Sequence, residues 1–401
     1  MRRPRWWLAT GLILALAAAL AAFAGTAARG GGSAQEPIVI GWALDLTKNM
    51  APFDGPGLAS AQIEIKKING KGGVGGRLLE LRYINTKLDP AKTKQAAADL
   101  IQKGADILMV TCDVDFATPA VQEGLKAKKL TVSACIGTDQ MSPKRFGSAG
   151  KLAFSFGNAA QDEGAAMAEY AYKVKKWRSA IIVVDNLLVY FKDVNKAFEN
   201  RFKQLGGKVT YKDAFTSFDK TIGNVISRVN GKKADVISFV TAFGELPQFV
   251  AGLRSLGNKT PIINSWGGDG TYWNPKNPKV TNYYYVTYAS AFGDDPSKAV
   301  NQLAAQMKAA GKPPATGGFV QGATTIQALV AAIKRAGGST DGAKLAGVLE
   351  RFRNVQTVSG NVSFSTALHS VFGRQYRVMV INNNKPKFLR LLKASSPAKI
   401  G

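Results

Sequence analysis

The sequence predicts an α/β protein of two lobes, each a parallel β-sheet flanked by helices. Three observations carry that prediction. Short apolar runs of strand length alternate with longer segments of helical spacing from residue 38 to 135, the signature of a parallel sheet covered by crossover helices. The alternation pauses over 136–160 and restarts as a second series of similar size over 162–264. The chain has 401 residues, 46% of them hydrophobic, which is room and material for about two to four domains at roughly 100–200 residues each.

The elements follow in order. IVIGWAL, residues 38–44, is an apolar run fit for a buried strand. A loop with Pro52, Gly55 and Pro56 leads to a helix over 58–68, where Leu58, Ala61, Ile65 and Ile68 share a face, and Asn69-Gly70 stops it. A strand over 78–84 comes next. Asp89 and Pro90 open a helix as N-cap and first residue, and it runs to Gly104. Strands over 106–111 and 130–135 flank a helix over 118–128. In the second series, helices over 162–174, 191–205, 220–230 and 246–256 alternate with strands over 180–185, 208–214, 236–240 and 261–264. Helices over 298–310, 318–336 and 341–353 follow, then short strands over 362–364, 376–382 and 387–392, with a hairpin turn at 382–385. Ligands in such sheets bind beyond the carboxyl ends of the strands, and two facing lobes would bring those ends to one cleft.

The first 36 residues read as an address. Arg2, Arg3 and Arg5 precede an apolar run over 8–24 that ends in Ala22-Phe23-Ala24, the layout of a secretory signal peptide over residues 1–24. The alternative is an uncleaved anchor, for which the run is short. Residues 25–36 form a Gly/Ala/Ser-rich spacer. No Cys follows the apolar run, so lipid attachment has no acceptor, and no later segment is apolar enough to span a bilayer. The expected location is the periplasm, the cell envelope or the extracellular space.

Composition excludes several classes. With 53 Lys+Arg against 27 Asp+Glu, the formal charge is +26. The lysines recur in ones, twos and threes without a stacking pattern of aromatics, which reads as a basic solvated surface rather than a nucleic-acid patch; attraction to an anionic envelope is the remaining reading. One histidine, His369, and two cysteines leave no His-based metal site, zinc ribbon or iron–sulfur cluster, and no cofactor is expected. His369, beside an edge hairpin, reads as a surface residue. There is no G-x-S-x-G elbow. GKGGVGG at 70–76 lies between a helix and a strand, the reverse of a phosphate loop. The chain is therefore not expected to be an enzyme.

Three stretches carry a family resemblance: IVIGWALDLTKNMAPFDGPGLASAQIEIKKINGKGGVGGRLLELRY, DPAKTKQAAADLI and ADVISFVTAFGELPQFVAGLRSLG. They resemble type 1 periplasmic binding proteins of the Leu/Ile/Val-binding group, which serve ABC importers, and the resemblance covers about residues 37–392. It implies an N-terminal lobe of 37–157 plus 290–360, a C-terminal lobe of 158–289 plus 361–395, and a three-segment hinge near 156–160, 286–291 and 359–363. Ligand binds one lobe and is enclosed as the other closes; a membrane permease then reads the closed form.

The resemblance also nominates site residues. Phe53 follows the first strand where the family offers an aromatic ring, although it could simply anchor its loop. Cys112 to Phe116 follow the third strand, where the family shows small hydroxyl residues around a ligand carboxylate. Asp113 and Asp115 stand there instead. Either backbone N–H groups do that work or the ligand differs; the alternative is that both acids cap the next helix or face water. Ile136, Gly137 and Thr138 match the second carboxylate-binding turn. Tyr190 and Phe243 match aromatic positions of the second lobe, or pack at helix starts. Asp269 stands near the family's acceptor for a ligand ammonium, or forms an Asp-Gly turn, and Trp266 walls the pocket. Cys112 and Cys135 end consecutive strands and are either bridged, as suits an exported protein, or two buried thiols. The function expected is capture of a small amino acid, or a related amide or carboxylate with an apolar part, by a monomer that partners ABC permease subunits and binds no nucleic acid. A sensory module of the same fold, or a structural surface role, are the rival readings.

Overall fold

The computed structural model describes residues 35–398 and 400. The expected signal segment and nearly all of the spacer lie outside the described residues. Among the described residues no helix is long and apolar enough to cross a membrane.

From β1 (Ile38–Leu44) the chain runs through α1 (Ala51–Asn69), β2 (Leu79–Asn85), α2 (Pro90–Gln102), β3 (Ile107–Val110), α3 (Val114–Lys126), β4 (Leu130–Ser133), the short α4 (Pro143–Phe146) and β5 (Ala153–Asn158). The second series comprises α5 (Ala160–Glu169), β6 (Ser179–Asp185), α6 (Val189–Gln204), β7 (Lys208–Phe215), α7 (Ile222–Asn230), β8 (Val236–Val240), α8 (Glu245–Ser255), β9 (Ile262–Asn264) and β10 (Tyr283–Thr287). Then come α9 (Lys298–Ala309), α10 (Val320–Arg335) and α11 (Gly342–Leu349). The chain ends with β11 (Val355–Thr357), β12 (Gly360–Val362), β13 (Ser370–Val371), β14 (Tyr376–Asn382) and β15 (Lys385–Leu392).

The strands form two main sheets. One has the order β13-β5-β4-β3-β1-β2 and is parallel throughout. The other has the order β15-β14-β10-β9-β8-β6-β7, with β14 antiparallel to both its neighbours. β1, β3, β4, β8 and β9 are buried along their whole length, as strands covered by helices on both faces must be. Asp89 caps α2 as its sequence requires, accepting from Lys92 N at 2.8 Å.

Tertiary contacts override the local reading in several places. α1 starts at Ala51 rather than near 58. Pro52 sits in its first turn, where a missing N–H costs nothing. The buried Asp54 pins that turn by accepting from Asp45 N at 2.8 Å and Cys112 N at 3.0 Å. β5, within the stretch 136–160, and the Tyr-rich β10, beside the expected hinge at 286–291, are strands that the sequence pattern does not predict. The third passage between sheets lies over 372–375, between β13 and β14, and not at 359–363. Residues 361–371 thus stay with the first sheet, because β13 pairs with β5: Ser155 N donates to His369 O and Ala159 N to Val371 O, both at 2.8 Å.

That pairing also corrects the reading of His369. It is 1% exposed. Its ring stacks on Phe154 with centroids 3.9 Å apart, and its nitrogens face Ala153 O at 2.9 Å and Glu350 Oε1 at 3.3 Å.

The three passages between sheets, at 159, 288–297 and 372–375, meet at one side chain. Arg374 is buried on the third passage. Its guanidinium donates to Phe156 O at 2.8 Å, on the way into the first passage, and lies 5.6 Å from the ring centre of Tyr288, on the second. Gln321 Oε1 at 2.8 Å and Ser359 Oγ at 2.9 Å accept its remaining bonds. The hydroxyl of Tyr288 in turn accepts from Asn158 N at 3.2 Å.

Candidate functional site: a closed cleft between the lobes

Segments that follow β1, β3, β6, β8 and β9 converge from the two sheets at their carboxyl ends, where an open parallel sheet offers its loops. One lobe supplies Met50, Phe53, Cys112 and Asp113; the other supplies Leu188, Tyr190, Phe191, Ala242, Phe243, Trp266 and Gly267. They enclose a cavity of about 20 Å³, the size of a water molecule. A larger solvent-open groove of about 530 Å³ lies beside the third passage, along Ser359, Gly373 and Arg377. None of its lining residues comes from the segments after β1, β3, β6, β8 or β9, so the cleft is the candidate site.

The walls of the cleft are aromatic. Phe53 meets Trp266 edge-on with centroids 5.0 Å apart, and Trp266 also lies 6.1 Å from Tyr190 and 5.4 Å from Tyr288. Phe191 and Phe243 pack at 5.7 Å. Six nominated residues are therefore brought together: Phe53, Cys112, Asp113, Tyr190, Phe243 and Trp266. Cys112 and Cys135 are disulfide-linked, Cα to Cα 4.9 Å, at the ends of the neighbouring β3 and β4.

Gly137 gives the closest approach across the cleft. A Cβ built on it would stand 2.4 Å from Tyr190 Cε2 and 3.1 Å from Trp266 Nε1. Two hydrogen bonds cross beside it. Thr138 Oγ1 donates to Asp193 Oδ2 at 2.7 Å, and Val189 N donates to Asp115 Oδ2 at 2.9 Å. Asp115 Oδ1 also accepts from Arg145 at 2.8 Å. Thr138 and Asp115 thus join the lobes rather than line the cavity. Ile136 is buried in the first lobe, its carbonyl accepting from Ser155 Oγ at 2.6 Å.

The acids divide by partner. Asp113 caps α3, and Oδ1 takes both capping bonds, from Asp115 N at 2.8 Å and Phe116 N at 3.2 Å. Burial pushes its carboxyl up to about 7. Asp269 lies off the cavity. Its Oδ2 accepts from Thr287 Oγ1 at the end of β10 and, at 2.6 Å, from Gly317 N just before α10.

Two buried acids at the site escaped the sequence reading. Asp54 accepts from Asp45 N, Cys112 N and Thr111 Oγ1, and burial raises it to about 7. Glu163 accepts from Trp266 N at 2.8 Å and from the Tyr190 hydroxyl at 3.1 Å, and burial raises it to about 8. The available signals were an acid directly after Phe53, and an acid among small apolar residues in AQDEGAAMA. Among the described residues the buried indole nitrogen of Trp266 donates to nothing.

The profile of the periplasmic binding protein family matches residues 37–386. The chain is 24% identical over 336 residues to the Leu/Ile/Val-binding protein BraC3 of Rhizobium johnstonii, spanning 82% of this chain and 88% of that one. Its fold is similar to that of the branched-chain amino acid substrate-binding protein LivJ of Streptococcus pneumoniae solved with isoleucine (TM-score 0.77, 19% identity, 89% of this chain and 99% of that one). It is similar also to a solute-binding protein of an ABC transporter from R. palustris solved with benzoate (TM-score 0.74, 19% identity, 91% and 98%).

Proposed function

The chain belongs to the periplasmic binding protein family, and on that premise we propose that it is an extracytoplasmic solute-binding protein of an ABC importer. In this reading it captures a small amino acid, or a related amide or carboxylate with an apolar part, and hands it to a membrane permease. One observation carries the reading: segments from the carboxyl ends of both sheets converge on a single aromatic-walled cavity. An apolar ligand body suits such walls once the lobes part to admit it. Residues 37–158 with 298–371 form one lobe, and 160–287 with 376–392 the other. Ligand drives closure to the extent that it contacts both lobes better when they are shut.

A thermal-shift panel of amino acids, amides, polyamines, aromatic acids and sugars on the purified protein tests this. A ligand at ~100 times its dissociation constant should add ~2.7 kcal/mol of stability. The absence of a shift from every compound would sink the reading.

A further inference from the structure

The charges around the cleft are one-sided. No Lys or Arg lines the cavity, and Asp113 does. Two further carboxyl groups stand directly behind its walls: Asp54 bonds to the backbone of Cys112, and Glu163 holds the hydroxyl of Tyr190 and the backbone of Trp266. The buried Arg374 lies beyond the ring of Tyr288, its Nη atoms bonded to Phe156, Gln321 and Ser359. Arg145, next to Asp115, is spent on that carboxylate. Both capping bonds of Asp113 end on Oδ1, so Oδ2 accepts nothing among the described residues.

A ligand carboxylate in this cavity would face carboxyl groups and no basic side chain. A ligand cation would meet an acceptor and the faces of several aromatic rings, which attract cations electrostatically, most strongly where water is excluded. The indole N–H of Trp266, buried and unpaired, adds a donor for a neutral oxygen on the same ligand.

We propose that the cleft recognises its ligand by a cationic nitrogen, set against Asp113 Oδ2 and caged by the rings of Phe53, Tyr190, Phe243 and Trp266, so that an amine suffices and a carboxylate is dispensable. This rests on the solute-binding reading and narrows its ligand class. It also moves the cation site from Asp269 to the opposite lobe.

Two matched pairs test it by calorimetry: isoleucine against 2-methylbutylamine, and benzoate against benzylamine. Each amine should bind at least tenfold tighter than its carboxyl-bearing partner. Asp113→Asn should weaken amine binding at least tenfold while leaving the ligand-free melting temperature in place, because Asn caps a helix as well as Asp does. Phe53→Leu, which keeps apolar bulk but removes a ring face, should also weaken it. If isoleucine or benzoate binds as tightly as its amine, or Asp113→Asn binds amines as the parent does, the inference fails and the solute-binding reading stands. Binding by none of these four compounds, together with a silent thermal-shift panel, overturns both.

Discussion

The ring of Tyr190 rests against the backbone of Gly137 from the opposite lobe, at a distance that leaves no room for a β-carbon. The backbone there is ordinary, so Gly137→Ala should fold. Its methyl group would stand 2.4 Å from Tyr190 Cε2 and should hold the lobes apart. The radius of gyration from solution scattering should exceed that of the parent protein, and ligand-induced stabilisation should be lost. An unchanged radius would show that the contact does not limit closure.

The bonds from Val189 N to Asp115 and from Thr138 to Asp193 hold the lobes together across the same gap. At about 1 kcal/mol each, removing both with Asp115→Ala and Asp193→Ala should favour the open form about thirtyfold. Solution scattering of the ligand-free double variant should show expansion with little change in melting temperature.

Asp54 gathers three donors in a buried place: Asp45 N, Cys112 N and Thr111 Oγ1. Asp54→Ala leaves all three unpaired, at ~1–3 kcal/mol for each buried group. A loss of at least about 3 kcal/mol in urea unfolding is expected, with Asp54→Asn losing less.

Burial raises Asp54, Asp113 and Asp269 to about 7 from an ordinary 3.8, and Glu163 to about 8 from 4.5. Between those values the folded chain binds more protons than the unfolded one, so stability falls as pH rises and levels off once the folded carboxyls have ionised. The opposite sign applies to Asp235, which the Arg178 backbone N–H holds below its ordinary 3.8; its contribution is lost as pH falls further. The melting temperature should therefore be highest near pH 4 and decline toward pH 8, and Glu163→Gln should shallow that decline. A flat profile over this range would count against these acids being buried as described.

Cys112 and Cys135 close a loop with a sequence separation of 23. Reduction should cost ~3 kcal/mol in the chain-entropy account, read as a lower melting temperature in reductant, and a Cys112→Ala, Cys135→Ala variant should be insensitive to reductant.

Local signals were the legible part of the sequence. The apolar run of β1 and the Asp89-Pro90 start of α2 need no distant partner to be recognised. Phe53, Tyr190, Phe243 and Trp266 were nominated through the family resemblance, and each follows a strand whose carboxyl end borders the cleft. What the local sequence does not show depends on remote contacts. Asp269 has its partners 18 and 48 residues away, and nothing in SWGGDG signals that they exist. His369 is buried only because β13 joins β5 across 216 residues, as its bond to Ala153 records. Glu163 reads as an ordinary helix-start acid until Trp266, 103 residues on, donates to it.

Three separate connections, each free to twist by itself, would let the lobes wander through a continuum of relative poses. Arg374 denies them that independence. One planar guanidinium grips the backbone of β5, the strand that enters the first connection, rests on an aromatic ring of the second and belongs to the third. Any movement of one lobe against the other would then have to turn all three connections about that one side chain together.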